Sequence, residues 1–333
     1  MSPDQNTMLP QRVNARLRSF GEADYPRVVE LGTAVFPDEP WSEEEFRHWD
    51  ASWDHTRYER HRVVAEDAAG RVVGYGQIRH VPWEFHPQKY YQFTMVHPDV
   101  RRRGVGRMIY EALQAELRRR GATIVHAGVA KEIMTESIAF LTRRGFVEVQ
   151  RGFESRLDVT AFDFARFAGA EERVAGQGII LTTLAAARQR DPDALRKAYE
   201  LQQACGRDVP AVGEVTETSF EMFLAHDVDR PTALLDAFFL ARDGDRYVGL
   251  SAMQRRLAQP DVLSQHLTGL LREYRGRGIA MALKLQTVKY AQAHGYREIR
   301  TGNDARNRPM LRINEAMGFV KEPAWITFEK RLG

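Results

Sequence analysis

Apolar residues recur along this chain at helix and strand spacing in a fixed order, and the order occurs twice. In the first half, Tyr25, Val28, Val29, Leu31 and Val35 share one helical stripe. Runs with strand character follow at 62–65, 72–80 and 90–96. Val105, Met108, Ile109, Ala112, Leu113 and Leu117 then form the stripe of another helix, which Gly121 stops. A strand at 124–129, a helix at 135–144 and one or two strands over 147–159 complete the unit.

Residues 161–178 turn to Ala, Gly, Arg and Glu without strand alternation and read as a linker between units at 13–160 and 179–333. The second unit repeats the pattern with a strand at 179–184, a helix at 195–205, and a hairpin of 237–241 and 247–253 turned through Asp243-Gly244. A strand at 263–271, a helix at 279–293 with Gly295 past its end, and strands at 299–301 and 325–330 follow. Three landmarks hold the two units in register. Arg71-Val72-Val73-Gly74 matches Arg246-Tyr247-Val248-Gly249, Gly104 matches Gly278, and Gly145-Phe146 matches Gly318-Phe319, at offsets of 175, 174 and 173 residues. A duplicated domain of roughly 150 to 170 residues is predicted rather than a short-period solenoid. Its fold class is α/β, each unit a mixed, mostly antiparallel sheet flanked by helices.

A length of 333 residues accommodates two such domains. The 48 basic and 45 acidic residues leave a net charge of +3, too small to suggest general nucleic-acid binding. No apolar run approaches the roughly 18 residues of a membrane span. Residues 1–12 are polar and lack a secretory apolar stretch. A cytoplasmic monomer or homodimer without membrane, nucleic-acid or metal partners is expected. Cys205 is the only cysteine, which excludes an internal disulfide, and its apolar helical setting predicts a buried thiol.

The helix starting at Val105 is preceded by Arg101-Arg102-Arg103-Gly104-Val105-Gly106, and the one at Ile279 by Arg275-Gly276-Arg277-Gly278-Ile279-Ala280. Read as Arg-x-x-Gly-x-(Gly/Ala), each is a phosphate cradle. The glycine permits a tight turn, and the unpaired N–H groups and positive dipole end of the helix favour an anion. Neither is a nucleoside-triphosphate loop or a dinucleotide fingerprint.

Val96-His97-Pro98-Asp99 leading into the first cradle, Leu270-Leu271-Arg272-Glu273-Tyr274 leading into the second, and the two Gly-Phe pairs resemble the acetyl-CoA-binding signature of the GNAT superfamily of N-acyltransferases. The resemblance spans nearly the whole chain as a tandem pair. It implies acetyl-CoA as cosubstrate, held by Arg101, Arg102, Arg103, Gly104, Val105, Gly106 and Arg107 and by Arg275, Gly276, Arg277, Gly278, Ile279 and Ala280. It also implies that the strand before each cradle splays from its neighbour, so that Met95 and Val96, or Leu270 and Leu271, pair with the pantetheine arm and help to hold the oxyanion.

The copies differ where the family often carries Asn and, seven residues on, a Tyr that protonates the departing thiolate. The second unit has Asn307, implied to contact the CoA arm, and Asn314 in the Tyr position. The first has Met134 and Leu141. A base must also take a proton from the amine, and imidazole suits that task near neutrality. Strand alternation sets His266 on one face with Ser264 and Thr268, and its counterpart in the first unit is Gln92. These differences predict cofactor binding in both units and catalysis in the second, by His266 with Asn314. The expected reaction is transfer of an acetyl group to the amine of a small molecule. Protein lysine or N-terminal acetylation and a silent acyl-CoA-binding module stand as alternatives. The acidic, aromatic stretch from Phe36 to Phe46 could face a cationic amine, but Ser42 and Glu45 also make a capping box. Trp41, Trp49, Trp53 and Trp83 read as core.

Overall fold

The computed structural model describes residues 14–333; the polar segment 1–12 lies outside the described residues. The first half contributes β1 (Ala15–Ser19), α1 (Tyr25–Val35), α2 (Glu43–Ala51), β2 (Arg60–Asp67), β3 (Val72–Arg79), β4 (Lys89–Val96), α3 (Val105–Arg119), β5 (Ile124–Lys131), α4 (Thr135–Thr142) and β6 (Val147–Asp158). Helix α5 (Ala170–Ala175) lies in the connecting stretch. The second half contributes β7 (Ile179–Thr183), α6 (Leu184–Arg188), α7 (Ala194–Gly206), α8 (Phe220–Phe223), β8 (Ala233–Asp243), β9 (Arg246–Arg255) and β10 (Val262–Leu270). It ends with α9 (Ile279–Ala293), β11 (Glu298–Asp304), α10 (Arg308–Met317), β12 (Val320–Lys321) and β13 (Trp325–Arg331).

Strand alternation builds two layers of core in each half. In β3, Val73 and Ile78 meet Ile109 and Leu113 of α3 on one face, while Tyr75 meets Val28 and Leu31 of α1 on the other. Each such aliphatic side chain, fully buried, contributes about 1.5–3 kcal/mol. The second half repeats the arrangement, with α9 over one face and α7 over the other. Cys205 of α7 is buried, and burial pushes its thiol up to about 12, as expected of a structural cysteine.

The two mixed sheets join edge to edge through exchanged strands. The order is β1-β2-β3-β4-β5-β13-β6-β11-β10-β9-β8-β7, so the chain's last long strand lies between β5 and β6 of the first half. Residues 147–152 of β6 pair with β13, and residues 152–158 pair with β11 of the second half. Gly152 stands at the change of partner, opposite both Trp325 and Asp304. Each half therefore completes the sheet of the other. Among the described residues no helix is long and apolar enough to cross a membrane.

Two strand pairs are parallel. β4 runs beside β5 only from Lys89↔Ile124 to Gln92↔Ala127, and β10 beside β11 only from Val262↔Glu298 to Gln265↔Thr301. Past these points the strands part, opening a wedge in each half that leads toward its cradle.

Candidate active site

Both cradles have the predicted turn. Gly104 and Gly278 precede α3 and α9 with φ of 97° and 81° and no side-chain cap, leaving first-turn amides available to an anion. A Cβ on Gly104 meets nothing within 4 Å, so the backbone angle, not crowding, calls for glycine. Two residues earlier the second copy has Gly276 at φ 74°, whereas the first holds Arg102 at φ 65°. A left-handed non-glycine residue carries strain of about 1–2 kcal/mol, the kind retained at functional sites. The first arginine of each motif braces the turn: Arg101 Nε donates to the Val96 carbonyl at 3.3 Å and Arg275 Nε to that of Leu270 at 3.2 Å.

The surroundings of the two cradles differ. The first opens into a cleft of about 360 Å³ that runs from Gly104 and Gly106 past Val96 and Met95 to Phe36, with Phe140 and Arg144 of the α4 segment along its side. The second is engaged by the protein itself. Asp208, just beyond α7, accepts from Arg272 Nε at 3.1 Å and also binds Arg275, and these guanidinium groups hold its carboxyl well below the usual range. Gln177 accepts from Arg277 Nε at 2.9 Å and donates to the Arg277 carbonyl at 3.1 Å. Cys205 packs so closely on β10 that a Cβ on Gly269 would lie 2.6 Å from it.

At the base of the first wedge, β4 and β5 place Tyr91 opposite His126. His126 is 5% exposed, and its Nε2 lies 3.1 Å from Glu329 Oε2 on β13. Burial works against the Glu329 charge, but hydrogen bonds from His126 and Arg331 outweigh it and keep the carboxyl below its ordinary range. Both His126 and Tyr91 line a cavity of about 190 Å³ with Arg79, Gln150 and Thr327. The Tyr91 ring lies against Gly128, which also lines the cofactor-side cleft, so this ring forms a wall between the two spaces. Burial pushes the Tyr91 hydroxyl up to about 12. The corresponding pair in the second half is Ser264 and Arg300.

His266 does not occupy the predicted register. A bulge falls between Gln265 and Thr268, and the pairings Gln92↔Ile78 and Gln265↔Met253 make Gln265 the counterpart of Gln92. His266 is the added residue, and alternation is lost there: Thr268 turns to Ser251 and Gln265 instead of lying beside His266. The His266 side chain is 49% exposed, with Nδ1 3.7 Å from Asp227. Asn314 is buried and donates to Asn303 Oδ1 at 2.7 Å, tying α10 to β11; Asn307 caps α10 by accepting from the Met310 amide at 3.4 Å. His126 and Tyr91 were missed by sequence reasoning, because His126 gains its carboxylate partner only through a strand 203 residues away.

Ser42 accepts from the Glu45 amide at 3.3 Å, as the capping reading anticipates. Glu39 reaches into the second half, bonding Arg256 at 2.5 Å and Arg300 at 3.3 Å. Of the tryptophans read as core, Trp53 is buried and Trp41 packs against the core of the first half, whereas Trp83 is exposed; all four line a cavity of about 510 Å³ between the halves.

The GNAT acetyltransferase family model matches residues 25–146 and 195–319. A mycothiol acetyltransferase of Corynebacterium glutamicum is 30% identical over 95 residues, 28% of this chain and 32% of the relative, so the match spans about a third of that protein's length. Among solved structures, a tandem GNAT protein from the clavulanic acid biosynthesis pathway aligns with TM-score 0.72 and 19% identity over 96% of this chain and 99% of its own. A GCN5-related N-acetyltransferase from Sphaerobacter thermophilus aligns with TM-score 0.69 and 20% identity over 96% of both chains. These two likenesses concern the fold. With the family model matched once in each half and over well more than half the chain, the protein belongs to the GNAT family of acetyltransferases and is an acyltransferase.

Proposed function

We propose that the protein transfers an acetyl group from acetyl-CoA to the amine of a small molecule, and that the first half carries out the transfer. The observation that carries this reading is the continuity of the open cleft beside Gly104 with the Tyr91 wall, behind which His126 faces a second cavity. The residues fit the cosubstrate: free first-turn amides and Arg102, Arg107 and Arg144 suit its phosphates, and the parted edge of β4 at Met95 and Val96 suits its amide-bearing arm. When bound, acetyl-CoA supplies an activated acyl group on a thioester.

The protein's part is positioning and proton handling. His126, with Nε2–H donated to Glu329, keeps Nδ1 as a proton acceptor for the incoming ammonium. Tyr91 is neutral at pH 7 and supplies a proton where the sulfur departs. One C–S bond breaks, one C–N bond forms, and each turnover starting from an ammonium releases one proton to solvent. The second half, whose Arg272 and Arg275 bind Asp208 and whose Arg277 binds Gln177, contributes β13 and thereby Glu329.

Calorimetry with acetyl-CoA and an assay of thiol release on Gly104→Glu, Gly278→Glu and His126→Gln test this reading. Gly104→Glu should abolish binding and turnover. His126→Gln should lower turnover by about 10²–10⁴ with acetyl-CoA affinity retained. Loss of turnover from Gly278→Glu and not from Gly104→Glu would overturn the assignment.

A further inference from the structure

Arg79 is an arginine without an acid. It ends β3 on the face toward the inter-half cavity and lines both that cavity and the smaller one containing His126. Its only hydrogen bond among the described residues is from Nη1 to the His80 carbonyl at 3.2 Å, and its guanidinium lies 5.4 Å from the Tyr91 ring centre. The neighbouring acids are committed elsewhere. Asp50 binds Arg60 and Arg62, each at 2.5 Å, and Glu84 lies 3.4 Å from Lys89. Strand pairing sets Arg60 directly opposite Arg79, so like charge adds to the shortage. Burial disfavours the charged guanidinium and outweighs the opposing effects of Tyr91 and Tyr75, and Arg60 adds a smaller repulsion. A half-buried cation without an acidic partner favours an anion from outside.

The geometry points to a carboxylate on the acceptor: the amine substrate is a small amino acid or similar carboxyl-bearing amine, its carboxylate taken by the Arg79 fork and its ammonium directed to His126. This rests on the proposed transfer in the first half. A planar guanidinium offers two parallel N–H donors matched to one carboxylate. The cavity shared by Arg79 and His126, about 190 Å³, has room for a compact molecule carrying both groups and would exclude a protein side chain still attached to a folded surface. Because Arg79 also opens on the aromatic cavity of about 510 Å³, a longer apolar substituent can extend toward Trp53 and Trp83.

The test compares amino acids with the amines they become when the carboxyl group is absent, using thiol release for turnover and calorimetry for binding without turnover. Wild-type protein should favour the carboxyl-bearing member by at least about 100-fold in kcat/KM. Arg79→Met should collapse that ratio toward one, chiefly through KM, and Arg79→Lys should restore part of it. Equal use of both members by the wild type removes the inference while leaving acetyl transfer in place. If Arg79→Met does not fold, the paired wild-type comparison decides alone. Failure of acetyl-CoA to bind at the first cradle would instead remove the functional reading; titration of the amino acid into cofactor-free protein reports on the Arg79 site independently of that result, and absence of heat for every amino acid in the panel would overturn the inference.

Discussion

Replacing Lys284 by methionine probes a charge buried inside α9, away from the proposed chemistry. The side chain is 1% exposed; its ammonium donates to Gln265 Oε1 and lies 4.8 Å from the Phe319 ring centre, so one hydrogen-bond acceptor serves three donors. Burial alone pulls its pKa from 10.5 to about 7. At about 1.4 kcal/mol for each tenfold change in proton affinity, that fall disfavours the charged form in the fold by about 4–5 kcal/mol. Between pH 7 and 10.5 the unfolded chain binds a proton that the folded chain does not, so stability rises with pH across this window. Below pH 7 the penalty is fully present; above 10.5 it is gone. Lys284→Met keeps most of the volume, removes the charge, and leaves Gln265 Oε1 without its donor at a cost of about 1–3 kcal/mol. The net gain at pH 7 is then about 1–4 kcal/mol. Urea unfolding followed by circular dichroism at several pH values should show a wild-type midpoint that climbs between pH 7 and 10 and a variant midpoint that starts higher and lacks this climb. A variant less stable at pH 7, or one with the wild-type pH slope, would refute the reasoning.

Other substitutions separate the roles of the cradles. Arg102→Gly should relieve backbone strain of about 1 kcal/mol and leave or raise the melting temperature while weakening acetyl-CoA binding several-fold by calorimetry. Asp208→Asn removes the carboxylate from Arg272 and Arg275, and a titration with acetyl-CoA should then show a second binding event that the wild type lacks. Glu329→Gln should reduce turnover about 10-fold or more without altering acetyl-CoA affinity, because the amide supports the His126 imidazolium less well than a carboxylate.

What could be read from the chain was whatever depends on short spacing. The helical stripe of α3, the glycine before it and the alternation of β3 are local, and local patterns survive in the fold. The landmark offsets fall through 175, 174 and 173, so the second copy is the shorter between landmarks, and that net loss hid the one residue it gains. It falls in β10, and one inserted residue was enough to pair His266 with the wrong partner, since a single step changes the face on which a side chain lies. Arg102 had a readable sign: the cradle alignment sets it against Gly276, the residue that a left-handed turn prefers. His126 had none, because its meaning depends on β13 entering between β5 and β6, which no local period reports.

The exchange of strands also changes what the duplication means. Two independent copies would each need a complete wedge, cradle and proton acceptor. Here β13 supplies Glu329 to the first half, and β6 closes the second, so neither half retains all its sheet neighbours without the other. Arg300 stands where the first half has His126 and is held by Glu298 and Glu39, while Asp208 stands over the second cradle. On the proposed assignment, the second half carries internal ion pairs where the first has groups that handle protons and phosphates, and it retains the geometry that delivers a strand. Glu39 makes the reciprocal contact from the first half at 2.5 Å to Arg256. If the first half carries the transfer as proposed, loss of chemistry from one copy and dependence of the other copy on its last strand are two sides of the same arrangement, because a half that supplies the partner of the base cannot be discarded once its own site has closed.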